Sequence, residues 1–319
     1  MILDKKIGVV IPCFQGGKVT KTIINEALDY ADKVVLIDDA CPFGTGKSIS
    51  EVVKSEKLKV LFNSINKGVG YSTKKGFGWL IKEGCDLIIK IDADGQLDPK
   101  DIYPMCSPIL EGKCEATKGN RFGNIENAML IPKIRLFGIL ILSFITKLST
   151  GYWDLFDPTN GYICFKQEIL ANINMDKIDN RYFFETDLLF RCSLNNVKIT
   201  NVNVDIKYLP NISTLNPITQ APIFLIKHVK RVIKRIVYQY FIFDFNPGSI
   251  ELILSFATGV LAVFIGLNSL LKSRIHQIPM SSGNSSLFTI ACILAIQLFI
   301  SFIYYDCTYR VFLRNSKNI

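Results

Sequence analysis

Histidine is nearly absent from this chain: His228 and His276 are the only two in 319 residues. Two scattered imidazoles exclude a Cys/His zinc site and leave no good candidate for a histidine general base. Cysteine is present, but its nine residues are odd in number and spread along the chain with no CxxC pair. Reduced, buried thiols of a cytosol-facing protein are therefore expected rather than a disulfide framework. No cleavable secretory leader is expected either, because Met1–Lys6 is short and charged and leads straight into an apolar run. With 49% apolar residues, wholesale disorder and fibrous repeats are excluded. Acidic charge is in deficit: 37 Lys+Arg against 28 Asp+Glu leaves an excess of 9, which favours anionic partners such as nucleic acid, phosphorylated small molecules or acidic lipid.

Long apolar runs are concentrated at one end. Leu252–Leu271 and Leu287–Tyr305 are 20 and 19 residues without a charge. At about 1.5 Å per residue each covers roughly 30 Å, the thickness of a bilayer's hydrocarbon core. Two membrane-spanning helices are predicted, over about 250–271 and 286–306. Lys227, Lys230, Arg231, Lys234 and Arg235 precede the first, and Arg310, Arg314 and Lys317 follow the second; the connecting loop has only Lys272 and Arg274. Eight cations against two put both termini in the cytosol. Tyr304, Tyr305 and Tyr309 suit an interfacial anchor. The preceding stretch, Pro222–Phe245, mixes Lys/Arg with Ile, Leu, Val and aromatics at helical spacing. It reads as a basic amphipathic helix for an anionic membrane surface; a nucleic-acid-binding helix is the weaker rival, given so heavy an apolar face.

Residues 1–215 have a different rhythm. Short β-branched runs at 7–12, 34–38, 59–63 and 86–92 alternate with helical stretches such as Lys18–Tyr30 and Gly70–Lys82. That alternation predicts βαβ units and a mostly parallel, Rossmann-like sheet, with ligands at the carboxyl ends of its strands. The fourth run leads into Asp92-Ala93-Asp94-Gly95-Gln96. If that segment stays extended, Asp92 and Asp94 share a side, and hard oxygen donors so placed suit Mg²⁺ or Mn²⁺; a solvated turn is the rival reading. The second run ends at Asp38-Asp39, which reads equally as a helix cap or as a nucleotide contact. Gly44-Thr-Gly-Lys-Ser48 resembles the end of a phosphate-binding loop, but Cys41 stands where the full pattern needs glycine. Downstream, Arg121 follows an apparent strand end and Arg135 opens an apolar helix (Leu136–Leu148) too short to span a bilayer. A cation at the root of a membrane-grazing helix could meet a lipid phosphate.

In this order the pieces resemble the family 2 glycosyltransferases of GT-A fold, in particular the branch that acts on polyprenyl phosphates. The resemblance rests on VVIPCFQGG (9–17), VVLIDDACPFGT (34–45), NKGVGYSTKKGF (66–77), DADGQ (92–96), GNRF (119–122), DPTNGY (157–162) and FFETDLLFR (183–191), followed by two spans. It implies a nucleoside pocket of Pro12, Phe14, Ile37 and Asp39, with Asp92 and Ala93 holding ribose and diphosphate. It implies a Mg²⁺ or Mn²⁺ site at Asp94 and Gln96, with Asp92 beside it, and phosphate-binding roles for Arg121 and Arg135. Asp157, Asn160, Glu185, Asp187, Lys207 and Ser213 would lie on the sugar and acceptor side. Gly16 and Gly17 stand where the family usually has acids, and 206–217 lacks the arginine of the mannosyltransferases.

The expected organisation is thus a GT-A domain over 1–215, an amphipathic juxtamembrane region over 216–247 and a two-helix transmembrane domain over 248–319. The expected activity is inverting, metal-dependent transfer of a hexose from a nucleotide sugar, UDP-linked in preference to GDP-linked, to polyprenyl (undecaprenyl) phosphate at the cytosolic face of the plasma membrane. The partners are the nucleotide sugar, the lipid phosphate, the membrane and a second copy of the chain as a homo-oligomer, with no nucleic acid. The alternative is an inactive sugar-nucleotide-binding scaffold that recruits a flippase or transferase. A processive synthase is disfavoured, because it needs more spans and a QxxRW motif that this sequence lacks.

Overall fold

The computed structural model describes residues 4–123, 129, 131, 133–205 and 217–316. The chain divides into two compact units, Met1–Val232 and Ile233–Ile319.

The first unit is built on a seven-stranded sheet in the order β3-β2-β1-β4-β6-β5-β7. Its strands are β1 (Ile7–Cys13), β2 (Lys33–Asp38), β3 (Leu58–Phe62), β4 (Leu87–Lys90), β5 (Ala116–Asn120), β6 (Ile163–Lys166) and β7 (Ile199–Asn203). β1, β2, β3 and β4 pair in parallel, as do β5 and β7, whereas β6 runs antiparallel between β4 and β5. The sheet is therefore mixed, with parallel pairing predominant, and the α/β GT-A architecture followed by two long apolar helices is the one expected. Every residue of β1 is buried. Its side chains alternate: Val9 and Ile11 join one apolar cluster with α1 (Gly17–Tyr30) and α4 (Ile102–Leu110), and Val10 joins the other with α3 (Val69–Lys82). Continuous apolar runs, rather than half-polar ones, follow from having both faces covered. The remaining α-helices among the described residues of this unit are α2 (Thr45–Val52), α5 (Lys133–Thr150), α6 (Gln167–Asn172), α7 (Phe184–Leu194) and α8 (Pro217–Val237), whose last residues fall in the second unit.

One expectation about local structure is corrected. The fourth strand stops at Lys90, and Asp92–Gly95 forms a turn in place of an extended segment. The Gln96 N–H donates to Asp94 Oδ1 at 3.0 Å and Gly95 adopts φ +77°, so the side chain of Asp94 replaces the ladder partner that strand geometry would have used. In α8, Lys227 is ion-paired with Asp179 and Arg231 with Asp187, whereas Lys230 is exposed.

The second unit holds α9 (Pro247–His276) and α10 (Ser282–Ser316). Pro247 at the first helical turn and the reciprocal Asn246/Ser249 capping box start α9. Both helices are long and apolar enough to cross a membrane, and 11% of each apolar window is buried. At the foot of this unit Arg235 makes a two-point contact with Asp306 (2.7 and 2.8 Å), whose Oδ1 also accepts from Tyr240 at 2.7 Å.

Candidate active site

Strand order reverses direction at β1, which has β2 on one side and β4 on the other. In register, Pro12 lies opposite Ile37, and Val10 opposite Lys90. The ends of β1, β2 and β4 therefore open at one level, the usual place for a ligand in such a sheet. Pro12 and Ile37 are buried there, and Phe14, one step beyond β1, is exposed.

The Asp-Asp pair after β2 does internal work. Asp38 accepts from the Cys41 and Gly46 amides, each at 2.7 Å, and so fixes the start of α2. The amide of Gly46 that a phosphate loop would offer is thereby used. Asp39, also buried, accepts from Asn63 Nδ2 (2.7 Å) and the Lys67 amide (2.9 Å) through Oδ1, and from the Gly68 amide (2.7 Å) through Oδ2. Each carboxylate oxygen has two acceptor positions, so Oδ2 retains capacity for one further donor.

Past β4 the carboxylates gather around a lysine that sequence reasoning missed. Lys90 is 1% exposed, and its Nζ donates to Asp92 Oδ1 at 2.7 Å and to Glu185 Oε1 at 2.8 Å. Burial pushes the Lys90 ammonium down, but the two carboxylates outweigh it and hold its pKa above the ordinary lysine value. Glu185 is correspondingly held below the usual carboxylate range: burial opposes ionisation, and Lys90 and Lys118 overcome it. Asp94 moves the other way, raised first by burial and then by the neighbouring charge of Asp92. A signal existed for Lys90. It is a charge in an apolar strand, two residues before Asp92.

Gly161 closes over this group. A Cβ there would stand 1.9 Å from Asp92 Oδ2 and 2.9 Å from Lys90 Nζ, so no side chain fits. Lys118 on β5 is a second missed cation. It and Lys90 are both in register with Ile163 of β6, which puts all three on one face of the sheet. Lys118 is fully buried, and its Nζ finds no hydrogen-bond partner among the described residues; the same holds for Nδ2 of Asn160, whose Oδ1 accepts from the Tyr162 amide. Burial lowers the Lys118 pKa, opposed by the charge of Glu185.

The other candidate residues are distributed as follows. Arg121 grips buried Asp157 through Nε (2.6 Å) and a terminal nitrogen (2.9 Å) and also reaches Thr159. Any phosphate it meets is met by an ion pair, not by a bare cation. The carbonyl of Ala93 accepts from Thr20 Oγ1 at 3.2 Å. Asp187 is taken up by Arg231 and the Asp179 amide. The side chain of Arg135, and the whole of Lys207 and Ser213, lie outside the described residues.

The donor set fits a hard divalent cation. Asp92 and Asp94 bring two carboxylates close enough to raise Asp94, and a cation between them would relieve that repulsion. Among the described residues no group of three His, Cys, Asp or Glu could hold a metal by itself. Gln96, phosphate oxygens and water would complete the shell, as is usual for Mg²⁺.

The profile described as Glycosyl transferase family 2 matches residues 8–173, from β1 through α6, and includes Lys90, Asp92, Asp94, Arg121 and Asp157. The UDP-N-acetylglucosamine–dolichyl-phosphate N-acetylglucosaminyltransferase of Methanococcus voltae is 27% identical over 219 residues, covering 64% of this chain and 87% of that protein. The polyprenol monophosphomannose synthase of Mycolicibacterium smegmatis is 24% identical over 204 residues, covering 61% of this chain and 75% of its own. Among solved structures, glucosyl-3-phosphoglycerate synthase from Mycobacterium tuberculosis aligns with TM-score 0.49 and 14% identity over 73% of this chain and 80% of that one, a likeness too slight to carry chemistry.

Proposed function

The chain belongs to glycosyl transferase family 2, and on that premise we propose that it transfers a hexose from a nucleotide sugar, uridine-linked by preference, to a polyprenyl phosphate at the cytosolic membrane face. The observation that carries this reading is the Asp92/Asp94 pair at the strand-order reversal of a chain that ends in two apolar helices. The names of the relatives from Methanococcus voltae and Mycolicibacterium smegmatis support the acceptor class.

In this reading the nucleoside lies over Pro12, Phe14 and Ile37, with Asp39 Oδ2 accepting from the base. Lys90 fixes the rotamer of Asp92, so the carboxylates are set before the diphosphate arrives. A Mg²⁺ or Mn²⁺ ion held by Asp92, Asp94 and Gln96 would neutralise the leaving diphosphate. In this reading Lys118, and Arg121 within its ion pair with Asp157, serve the sugar and acceptor phosphates, together with Arg135. An oxygen of the lipid phosphate attacks the anomeric carbon as the bond from that carbon to the diphosphate oxygen breaks, and the configuration inverts. That oxygen is already anionic near neutral pH, so no strong base is required, in keeping with the scarcity of histidine. Positioning is then the main contribution, and the two apolar helices keep the enzyme beside its lipid.

The test is to incubate the purified full chain with undecaprenyl phosphate and a panel of nucleotide sugars and to weigh the lipid product. One donor is expected to yield a lipid-phosphate hexose, and Asp94→Asn to abolish it while nucleotide binding weakens only modestly. Intact nucleotide binding with no lipid product from any donor would overturn the reading in favour of a binding scaffold.

A further inference from the structure

Helix α7 carries two acidic side chains in its first turn, Glu185 and Asp187, and they serve different neighbours. At about 100° per residue they project roughly 200° apart around the helix. Glu185 Oε1 accepts from Lys90 at 2.8 Å, and the same ammonium holds Asp92 at 2.7 Å. Lys90 is the one hydrogen-bonding partner of the Glu185 side chain among the described residues. Asp187 is buried and turned to α8: its Oδ1 accepts from Arg231 Nε, and its Oδ2 from a terminal nitrogen of the same side chain at 3.0 Å. All of these residues lie within the first unit.

Arg231 grips more than a carboxylate. Its guanidinium lies 5.3 Å from the ring centroid of Phe190, three residues beyond Asp187 on α7. Just before α7 begins, Phe183 is buried edge-on against Phe224 and His228, with Lys227 over its ring. Asp187 Oδ2 also accepts from the Asp179 amide at 3.0 Å, which ties down the approach to the helix. A two-point contact between arginine and carboxylate adds direction to strength. It therefore fixes the rotation of α7 about its axis, and that rotation sets where Glu185 points.

We propose that Arg231 is a positioning residue for the acidic pair after β4. Through Asp187 it sets the pose of α7; Glu185 then steers the Lys90 ammonium, and Lys90 steers the Asp92 carboxylate. A residue of α8 thus governs a carboxylate with which it makes no contact of its own. The inference rests on the reading of Asp92 and Asp94 as a divalent-cation site, but it is independent of the sugar and of the acceptor. An ion pair that only added stability would lower Tm without altering how that site holds a cation.

The test titrates Mn²⁺ by electron paramagnetic resonance into the full chain in detergent, alone and with UDP, beside thermal unfolding. Arg231→Gln is expected to weaken Mn²⁺ binding about 10-fold, the low end for groups that orient a metal ligand from behind it. In a Glu185→Gln background the same change is expected to weaken Mn²⁺ no further, although it still lowers Tm. Ser149→Ala cuts the 2.9 Å contact between α5 and His228 of α8 and leaves Arg231 and Asp187 in place. It is expected to leave Mn²⁺ affinity unchanged, whatever it costs in Tm. Should Arg231→Gln fail to fold, Arg231→Lys carries the same comparison, because it keeps the charge and gives up the second contact. Unchanged Mn²⁺ affinity in the Arg231 variant, an equal loss in Ser149→Ala, or a loss that adds to that of Glu185→Gln would each overturn the inference. A wild-type chain that binds no Mn²⁺, with or without UDP, would instead remove the cation site itself, and the inference with it.

Discussion

Replacing Lys90 by methionine removes the cation that joins Asp92 to Glu185. Its ammonium is 2.7 and 2.8 Å from the two carboxylates, and each contact is worth about 6 kcal/mol of raw Coulomb energy at an effective dielectric near 20. Most of that is offset by the desolvation of a lysine that is 1% exposed. Removing one partner of such a group typically costs about 3–5 kcal/mol, and the low end applies because Asp92 and Glu185 keep 32% and 24% side-chain exposure. For a domain of this size, about 3 kcal/mol corresponds to a fall in Tm of about 6–12 °C. The electrostatic consequence is more specific. Asp94 is already raised by burial and by Asp92, and the Lys90 charge opposes that rise. Without Lys90 its pKa climbs further, so binding of Mn²⁺, which needs the carboxylate, moves to higher pH. Titrating Mn²⁺ by electron paramagnetic resonance from pH 5 to 8, beside thermal unfolding in detergent, checks both effects. In a double-mutant cycle, Lys90→Met with Glu185→Gln should cost less than the sum of the single variants by about 1–3 kcal/mol. A Lys90→Met protein with unchanged Tm and an unchanged Mn²⁺ pH profile would refute the idea that Lys90 organises the acidic pair.

Two further outcomes follow from the same geometry. Gly161→Ala is expected to displace the Asp92 carboxylate, because the new Cβ would fall 1.9 Å from Oδ2. Mn²⁺ affinity should drop by about 10-fold or more with a stability loss of about 1–3 kcal/mol, and unchanged Mn²⁺ affinity would exclude the close approach. Burial holds His228 down at about 4 against its ordinary 6.5, with Nε2 lacking a partner among the described residues. The unfolded chain therefore binds this proton first as pH falls. Stability is full above pH 6.5 and is lost between 6.5 and 4 by up to about 3 kcal/mol. His228→Gln should flatten the acidic limb of a Tm–pH curve, and identical limbs for variant and wild type would refute this.

The strand–helix alternation, the two long apolar helices and the acidic pair after the fourth strand were all legible in the sequence. Each is written in hydropathy period and near-neighbour spacing, which act over a few residues. The partners of the charges were not legible. Lys90 meets Glu185 across 95 positions, Arg121 meets Asp157 across 36 and Arg231 meets Asp187 across 44, and no local pattern encodes such distances. For the same reason the sequence could assign α8 a basic and an apolar face but not say which points inward. Only the packed domain, by placing Asp179 and Asp187 beside Lys227 and Arg231, paired those two cations while Ile223, Leu225, Ile226 and Val229 stayed exposed. Tertiary structure also decided that Asp92 and Asp94 sit in a turn, where a side-chain acceptor replaced the ladder that alternation alone had implied.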